Sequence, residues 1–268
     1  MEVVELLGYI GALLVGIVLG LIGGGGSILT VPIIVYLFGL NPLIATAYSL
    51  FVVGITSVIG AIQNLKKGMV DVRTATVFAI PSFIAVYITR SYIVPRLPEV
   101  LFSIGKFEVT NTVFIMILFA LVMFFAGFAM IKNTTKQKEK FNPKEDITYN
   151  YPLIAIEGIL VGILTGIVGA GGGFLIIPAL VLLVKIPMKK AIGTSLLIIA
   201  VKSLIGFLGD VSNPELDWLF LIIFTGLSII GIVIGVYLSK FISGEKLKKS
   251  FGYFTINMAL YIIYKELF

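Results

Sequence analysis

Long apolar runs alternate with short polar, glycine or proline segments along the whole chain. Ten such runs lie at 4–22, 27–39, 43–65, 72–94, 110–131, 152–168, 173–185, 188–208, 216–240 and 246–267. Most of them reach or approach the roughly 20 residues that a helix needs to cross about 30 Å of hydrocarbon. The pattern therefore predicts an all-α, polytopic integral membrane protein with about ten membrane segments, in which the second run of each half is short.

The composition agrees with this prediction. Of the 268 residues, 59% are hydrophobic and 13% are charged, whereas about a quarter of a soluble domain is charged. The first run has no positively charged region before it, so we expect it to be retained as a span. The net charge is +6, but the basic residues are scattered through short loops, which indicates topology signals and no nucleic-acid partner.

The absence of cysteine and histidine narrows the possible chemistry. It excludes disulfides, thiolate chemistry, haem ligation and the usual zinc sites. The chain also lacks a nucleophile elbow and a P-loop. We therefore expect no cofactor, no metal site and no enzymatic activity, and any binding must use hydroxyls, carboxylates, lysines and backbone groups.

The one long hydrophilic stretch divides the chain into two parts. Residues 132–150 are polar and charged, a composition that favours a linker over a folded segment. The predicted organisation is a first transmembrane repeat at 1–131, a cytoplasmic linker at 132–150 and a second transmembrane repeat at 151–268.

The two parts match each other at a single offset of 146 residues without a gap. The matched pairs are Gly16 with Gly162, Gly20 with Gly166, Gly23 with Gly169, Gly25 with Gly171, Gly26 with Gly172, Pro32 with Pro178, Ser49 with Ser195, Ser57 with Ser203, Gly60 with Gly206, and Asp71 with Asp217. Matched proline, serine and aspartate residues indicate a duplication more strongly than glycine alone. The halves are predicted to be homologous repeats.

Loop charges predict that the repeats have opposite orientations. The loop 66–73 carries three basic residues, whereas the equivalent 210–217 carries three acidic residues and no basic one. The positive-inside rule then places equivalent loops on opposite sides of the membrane. We expect inverted halves with both termini outside the plasma membrane. The alternative is eight spans with parallel halves, in which the short second runs are re-entrant.

Each half contains a glycine-rich motif that precedes a short run. The first glycine motif is Gly23–Gly26, followed by Ser27 and Pro32, and the second is 169–173, followed by Pro178. Glycines break a helix, and the next helix then starts with unpaired amides that favour an anion. Broken helices at equivalent positions of two repeats are typical of transporter binding sites. The alternative is that the glycines only allow close helix packing.

These duplicated motifs, each followed by a proline, and the polar third runs with Ser49 and Ser195 resemble the sulfite exporter TauE/SafE family, also called the toluene sulfonate uptake permease family. The resemblance extends over nearly the whole chain. It implies a transporter for sulfite, a sulfonate or another small anion, without identifying which one.

Lys202 lies well inside a predicted span, where an ionisable group is a functional candidate. Its alternative roles are to reach the interface or to pair with Asp210, about two turns along the helix. Glu157 is interpreted as solvated in preference to a proton-coupling group. The predicted substrate-binding residues are Gly23, Gly24, Gly25, Gly26, Ser27, Ser49, Thr56, Ser57, Gly169, Gly171, Gly172, Gly173, Thr194, Ser195, Lys202 and Ser203.

The sequence thus predicts a secondary transporter or facilitator that has a small anionic solute and the lipid bilayer as its partners. A coupling ion, H⁺ or Na⁺, is compatible with this prediction. The alternative function is a non-transporting membrane subunit that assists the assembly or regulation of another complex.

Overall fold

A computed structural model of the chain describes residues 2–104, 107–136, 151–168, 173–184, 186–210 and 216–267. These residues are helical except for loops and one short hairpin. Within these ranges, six helical segments are long and apolar enough to cross a membrane, namely Glu5–Ile22, Pro42–Lys66, Val72–Arg96, Asn111–Lys132, Met188–Leu208 and Trp218–Phe241. The prediction of an all-α, polytopic membrane fold is confirmed.

In the part of the chain that the structure describes, ten α-helices follow the ten predicted runs. They are α1 (Glu2–Ile22), α2 (Gly25–Tyr36), α3 (Pro42–Lys66), α4 (Val72–Ile88), α5 (Asn111–Lys136), α6 (Tyr151–Val168), α7 (Gly173–Pro178), α8 (Met188–Leu208), α9 (Trp218–Leu238) and α10 (Gly244–Leu267). The π-helical turns Thr89–Ile93 and Ala179–Leu183 extend α4 and α7. The predicted linker begins within α5, and its remainder, 137–150, lies outside the described residues.

A two-stranded hairpin between α4 and α5 was not predicted. Strand β1 (Val100–Ile104) pairs antiparallel with β2 (Phe107–Thr110). In the second half, α10 begins only a few residues after α9. The hairpin therefore explains why α1–α4 and α6–α9 keep the 146-residue offset whereas α5 and α10 do not.

The first helix of each half packs against the fourth helix of the other half. Helix α1 lies along α9, and α6 lies along α4. A Cβ on Gly16 would come within 1.9 Å of the Ser228 carbonyl oxygen, and one on Gly231 within 2.1 Å of the Leu13 oxygen. Such close backbone approach needs small residues. The two halves are therefore interlocked.

Helices α3 and α8, which are equivalent by the repeat, pack against each other in the interior. A Cβ on Gly54 would lie 2.9 Å from Leu204, whereas one on Gly60 would lie 3.0 Å from Leu196. From Gly54 to Gly60 the residue numbers increase along α3, whereas the contacted residues on α8 decrease from Leu204 to Leu196. The two helices are therefore antiparallel. This is the direction that inverted halves require, although the orientation of each half in a membrane stays a prediction.

Candidate functional site

The two short helices begin in direct contact with each other. Gly24 precedes α2 and Gly173 starts α7. A Cβ on Gly24 would lie 1.7 Å from the Gly173 carbonyl carbon, and one on Gly173 would lie 2.2 Å from the Gly24 Cα. A side chain at either position would collide with backbone. The described parts of the two glycine motifs therefore meet at a crossing that only glycine permits.

Gly23 and Gly26 are also confined by their neighbours. Gly23 has a φ of +74°, and a Cβ there would lie 2.6 Å from the Ser195 Oγ of the other half. A Cβ on Gly26 would lie 2.3 Å from the Val15 carbonyl oxygen. These contacts give the glycines a packing role, and their predicted role in substrate binding stays a prediction.

The other predicted residues of the motifs are placed only in part. Gly25 and Ser27 lie in the first turn of α2. Gly169, Gly171 and Gly172 lie outside the described residues.

The predicted hydroxyl residues lie on the two interior helices. Ser49, Thr56 and Ser57 on α3, and Thr194, Ser195 and Ser203 on α8, are all buried. Ser195 donates to the Ile192 carbonyl at 2.9 Å, and Thr194 donates to the Lys190 carbonyl at 2.8 Å.

The other four hydroxyls, those of Ser49, Thr56, Ser57 and Ser203, have no hydrogen-bond partner in the part of the chain that the structure describes. Burying a hydroxyl without a partner costs free energy. These four groups are therefore available to a polar ligand or to water.

Lys202 is completely buried on α8. Its Nζ donates to the Thr165 Oγ1 of α6 at 2.9 Å, and Thr165 donates onward to the Gly162 carbonyl at 3.4 Å. Within the described ranges no acidic oxygen lies within 4.0 Å of this ammonium. Lys202 therefore neither reaches the surface nor pairs with Asp210, and its neighbour is neutral.

Arg90 is a second buried basic residue, which was not among the predicted site residues. Only 1% of its side chain is exposed, and its Nε donates to the Asp210 Oδ2 at 2.7 Å. Its Nη1 donates to the Thr46 hydroxyl at 2.8 Å and to the Gly166 carbonyl at 3.4 Å. The signal that pointed to it was its position inside the predicted run 72–94.

The last turns of α6 thus contact both buried cations through adjacent residues, Thr165 and Gly166. The negative end of the helix dipole favours cations at this position. Asp210 neutralises Arg90, whereas Lys202 has no acidic neighbour among the described side chains. The described residues around the end of α6 therefore bring together two buried basic side chains and one acidic partner.

Glu157, also on α6, is less solvated than predicted from the sequence. Both of its carboxylate oxygens are buried and have no hydrogen-bond partner among the described residues. Its neighbour Gly158 faces α4, where a Cβ would lie 2.6 Å from the Phe78 carbonyl oxygen. The structure thus gives α6 a buried carboxyl group as well as contacts to two cations.

Comparison with known proteins supports the expected family. The profile of the family described as "Sulfite exporter TauE/SafE" matches residues 9–262. A "Probable membrane transporter protein" of Xylella fastidiosa (strain 9a5c) is 32% identical over 258 residues, which cover 94% of this chain and 92% of that protein. The "Probable membrane transporter protein YunE" of Bacillus subtilis (strain 168) is 29% identical and covers 78% of both chains. No solved structure matches the chain.

Proposed function

Because the chain belongs to the sulfite exporter TauE/SafE family, a family of membrane transporters, we propose that it moves a small oxyanion such as sulfite or a sulfonate across the plasma membrane. It acts as a secondary transporter or facilitator. The observation that carries the proposal is the burial of the Lys202 ammonium against a neutral hydroxyl. Burying an ammonium without an opposite charge is expensive, and a bound anion removes that cost.

The chemistry around Lys202 suits an oxyanion with several oxygens. The ammonium has three donors, and one of them is used by Thr165. On α8, the neighbouring Ser203 has an unpartnered hydroxyl, and on α3 the same is true of Thr56 and Ser57. Sulfite and sulfonates present oxygens that accept hydrogen bonds from an ammonium and from hydroxyls. We assign Lys202 the ionic contact and these hydroxyls the orientation of the anion.

The position of Lys202 in the fold also supports a transport site. Thr56 is the repeat equivalent of Lys202. Gly54, two residues before Thr56, contacts Leu204, two residues after Lys202. Thr56 and Lys202 therefore lie where α3 and α8 cross. Binding at the interface of two repeats is typical of secondary transporters.

The proposal includes inverted halves and alternating access. The antiparallel arrangement of α3 and α8 supports this part, as do the opposite charges of the loops 66–73 and 210–217. The linker is then cytoplasmic and both termini are outside. An H⁺ or Na⁺ gradient is the proposed driving force.

Flux into liposomes tests the function. The purified chain is reconstituted, and uptake of sulfite, sulfate and a short sulfonate is measured. We expect Lys202→Met to lower uptake by about tenfold or more, since one charge-assisted hydrogen bond contributes roughly 1.5–3 kcal/mol, and Lys202→Arg to retain part of it. The exposed Lys249→Met is the matched control and should transport normally.

Two results would contradict the proposal. One is wild-type uptake by a folded Lys202→Met protein. The other is the absence of any anion flux from the folded wild-type chain, which would favour the non-transporting subunit as the function.

A further inference from the structure

We propose that the ion pair of Arg90 and Asp210 is a gate that closes one end of the path between the two halves. The proposal rests on the proposed function, because the path that it closes is the one leading to Lys202. We name the end of the α3 and α8 pair that contains Thr46 and Asp210 the Arg90 end. The opposite end, with Asn64 and Lys190, is the Lys190 end.

The network at the Arg90 end joins both halves. Arg90 and Thr46 come from the first half, and Asp210 and Gly166 come from the second. The backbone is also close here, since a Cβ on Gly209 would lie 3.1 Å from the Arg90 Cβ. The halves therefore cannot separate at this end unless the Arg90 guanidinium and the Asp210 carboxylate move apart or one side chain moves with the other half.

Burial makes this ion pair a strong closure. The side chains of Arg90 and Asp210 are 1% and 15% exposed. Removing one partner of a buried pair leaves an uncompensated charge, which is strongly unfavourable. The pair therefore holds the Arg90 end closed as long as both charges face each other.

Among the described residues, the repeat counterparts at the Lys190 end do not form an equivalent of this pair. At the offset of 146, the counterparts of Arg90, Asp210 and Thr46 are Val236, Asn64 and Ile192. The Asn64 amide donates to the Gly60 carbonyl of its own helix at 2.8 Å.

A weaker ion pair crosses the halves at the Lys190 end. Lys190 approaches Asp71 at 4.0 Å, and the two side chains are 37% and 6% exposed. This contact is longer than the one between Arg90 and Asp210, and its ammonium is partly solvated, so it contributes less. The ion pair at the Arg90 end is thus the stronger of the two, which favours the conformation that is closed at that end.

An arriving anion supplies a way to open the gate. It carries the same sign of charge as the Asp210 carboxylate and competes with it for Arg90. Lys202 on α8 lies eight residues before Asp210, which follows the end of that helix, so about 12 Å separate the two positions along the helix axis. An oxyanion can therefore exchange from Arg90 to Lys202 after the pair opens, and Asp210 then returns to Arg90.

Accessibility of a single cysteine tests the gate without any transported solute. The chain has no cysteine, so Ser203→Cys introduces one thiol next to Lys202. A membrane-impermeant thiol reagent is added to either side of reconstituted vesicles. Glu99→Cys marks the face of the Arg90 end, and Lys67→Cys marks the opposite face, since both native residues are exposed.

In the Ser203→Cys background, we expect Asp210→Asn to accelerate labelling from the Arg90 face by about tenfold, within the usual range for conformational coupling. The charge reversal Arg90→Asp with Asp210→Arg should slow the labelling again. Lys190→Gln, which removes the cross-half ion pair at the other end, is the matched control and should leave labelling from the Arg90 face unchanged.

Two outcomes would overturn the proposal in a protein that remains folded by gel filtration. One is unchanged labelling in Asp210→Asn, and the other is an equal increase from both faces, which indicates general loosening. If Asp210→Asn does not fold, Asp210→Glu keeps the charge but displaces the carboxylate and must raise labelling from the same face. One-sided gating together with the absence of anion flux from the wild-type chain, which retains Ser203, would refute the proposed function alone.

Discussion

The backbone N–H of Asp71 donates a hydrogen bond of 2.9 Å to the Thr194 hydroxyl, so that the start of α4 in the first half is fixed to α8 in the second half. The repeat-equivalent residues make the reciprocal contact, in which the N–H of Asp217 donates to the Tyr48 hydroxyl. Both aspartates also cap their helices through their side chains. The start of the fourth helix of each half is thus held in place by a hydroxyl group of the other half.

Removing the Thr194 hydroxyl should destabilise the fold. Thr194→Val keeps the side-chain shape but leaves the buried N–H of Asp71 without this acceptor, which costs about 1–3 kcal/mol. We expect a lower thermal unfolding midpoint in detergent. Thr76→Val removes an exposed hydroxyl that bonds within α4 and is the matched control. Equal midpoints for the two variants would contradict a structural role of the contact.

Adding a single methyl group at Gly24 should disrupt the crossing of α2 and α7. The new Cβ would lie 1.7 Å from the Gly173 backbone, and backbone cannot move aside as a flexible side chain can. Overpacking usually costs about 1–3 kcal/mol, and more where nothing can yield. Gly24→Ala should therefore fail to give a monodisperse protein or unfold at a much lower temperature.

The control for Gly24→Ala is Gly226→Ala. Gly226 is an exposed helical residue whose Cβ would have nothing within 4 Å, so alanine there should be neutral or slightly stabilising. If Gly24→Ala were as stable as this control, the crossing of the short helices would be looser than the structure indicates.

The sequence predicted the helices well because the hydrophobic pattern determines which segments can lie in lipid. It also identified Lys202, since a charge in the middle of an apolar run is conspicuous. The neighbour of that lysine was not predictable. Thr165 is 37 residues away in sequence, and no local pattern connects an α8 lysine with α6.

The burial of Arg90 was not predicted, for a related reason. It lies near the end of its run, where the positive-inside rule treats a basic residue as part of a loop. The structure instead continues the helix through a π-helical turn and buries Arg90 against Asp210, 120 residues away. The contact between the two glycine motifs was likewise hidden, because a repeat shows which residues are equivalent but not which ones touch.

Labelling of introduced cysteines should show opposite orientations of equivalent loops. At the offset of 146, the loop 66–73 overlaps the loop 210–217, and Lys67 corresponds to Asn213. Gly68 has a φ of +66°, which a cysteine would strain, so the exposed Lys67 is the better position. We expect Lys67→Cys and Asn213→Cys to react with an impermeant reagent from opposite sides of the membrane. Reaction of both from one side would refute inverted halves.

The hydrogen bond between Lys202 and Thr165 makes a last prediction that does not depend on the substrate. Thr165→Val retains the volume of the side chain but deprives the buried ammonium of its acceptor, so we expect a loss of about 1–3 kcal/mol of unfolding free energy. Thr165→Ser restores the hydroxyl and should recover most of that loss.

The double variant Lys202→Met with Thr165→Val separates this contact from general packing effects. Once Lys202 is replaced by methionine, the valine no longer leaves a charge without a partner, so the double variant should lose less stability than the two single variants together. Unfolding free energies of the four proteins, measured by denaturant titration in detergent, give the coupling. Strictly additive losses would mean that the 2.9 Å contact does not contribute to holding the ammonium, and the positive charge would then need a different source of stabilisation.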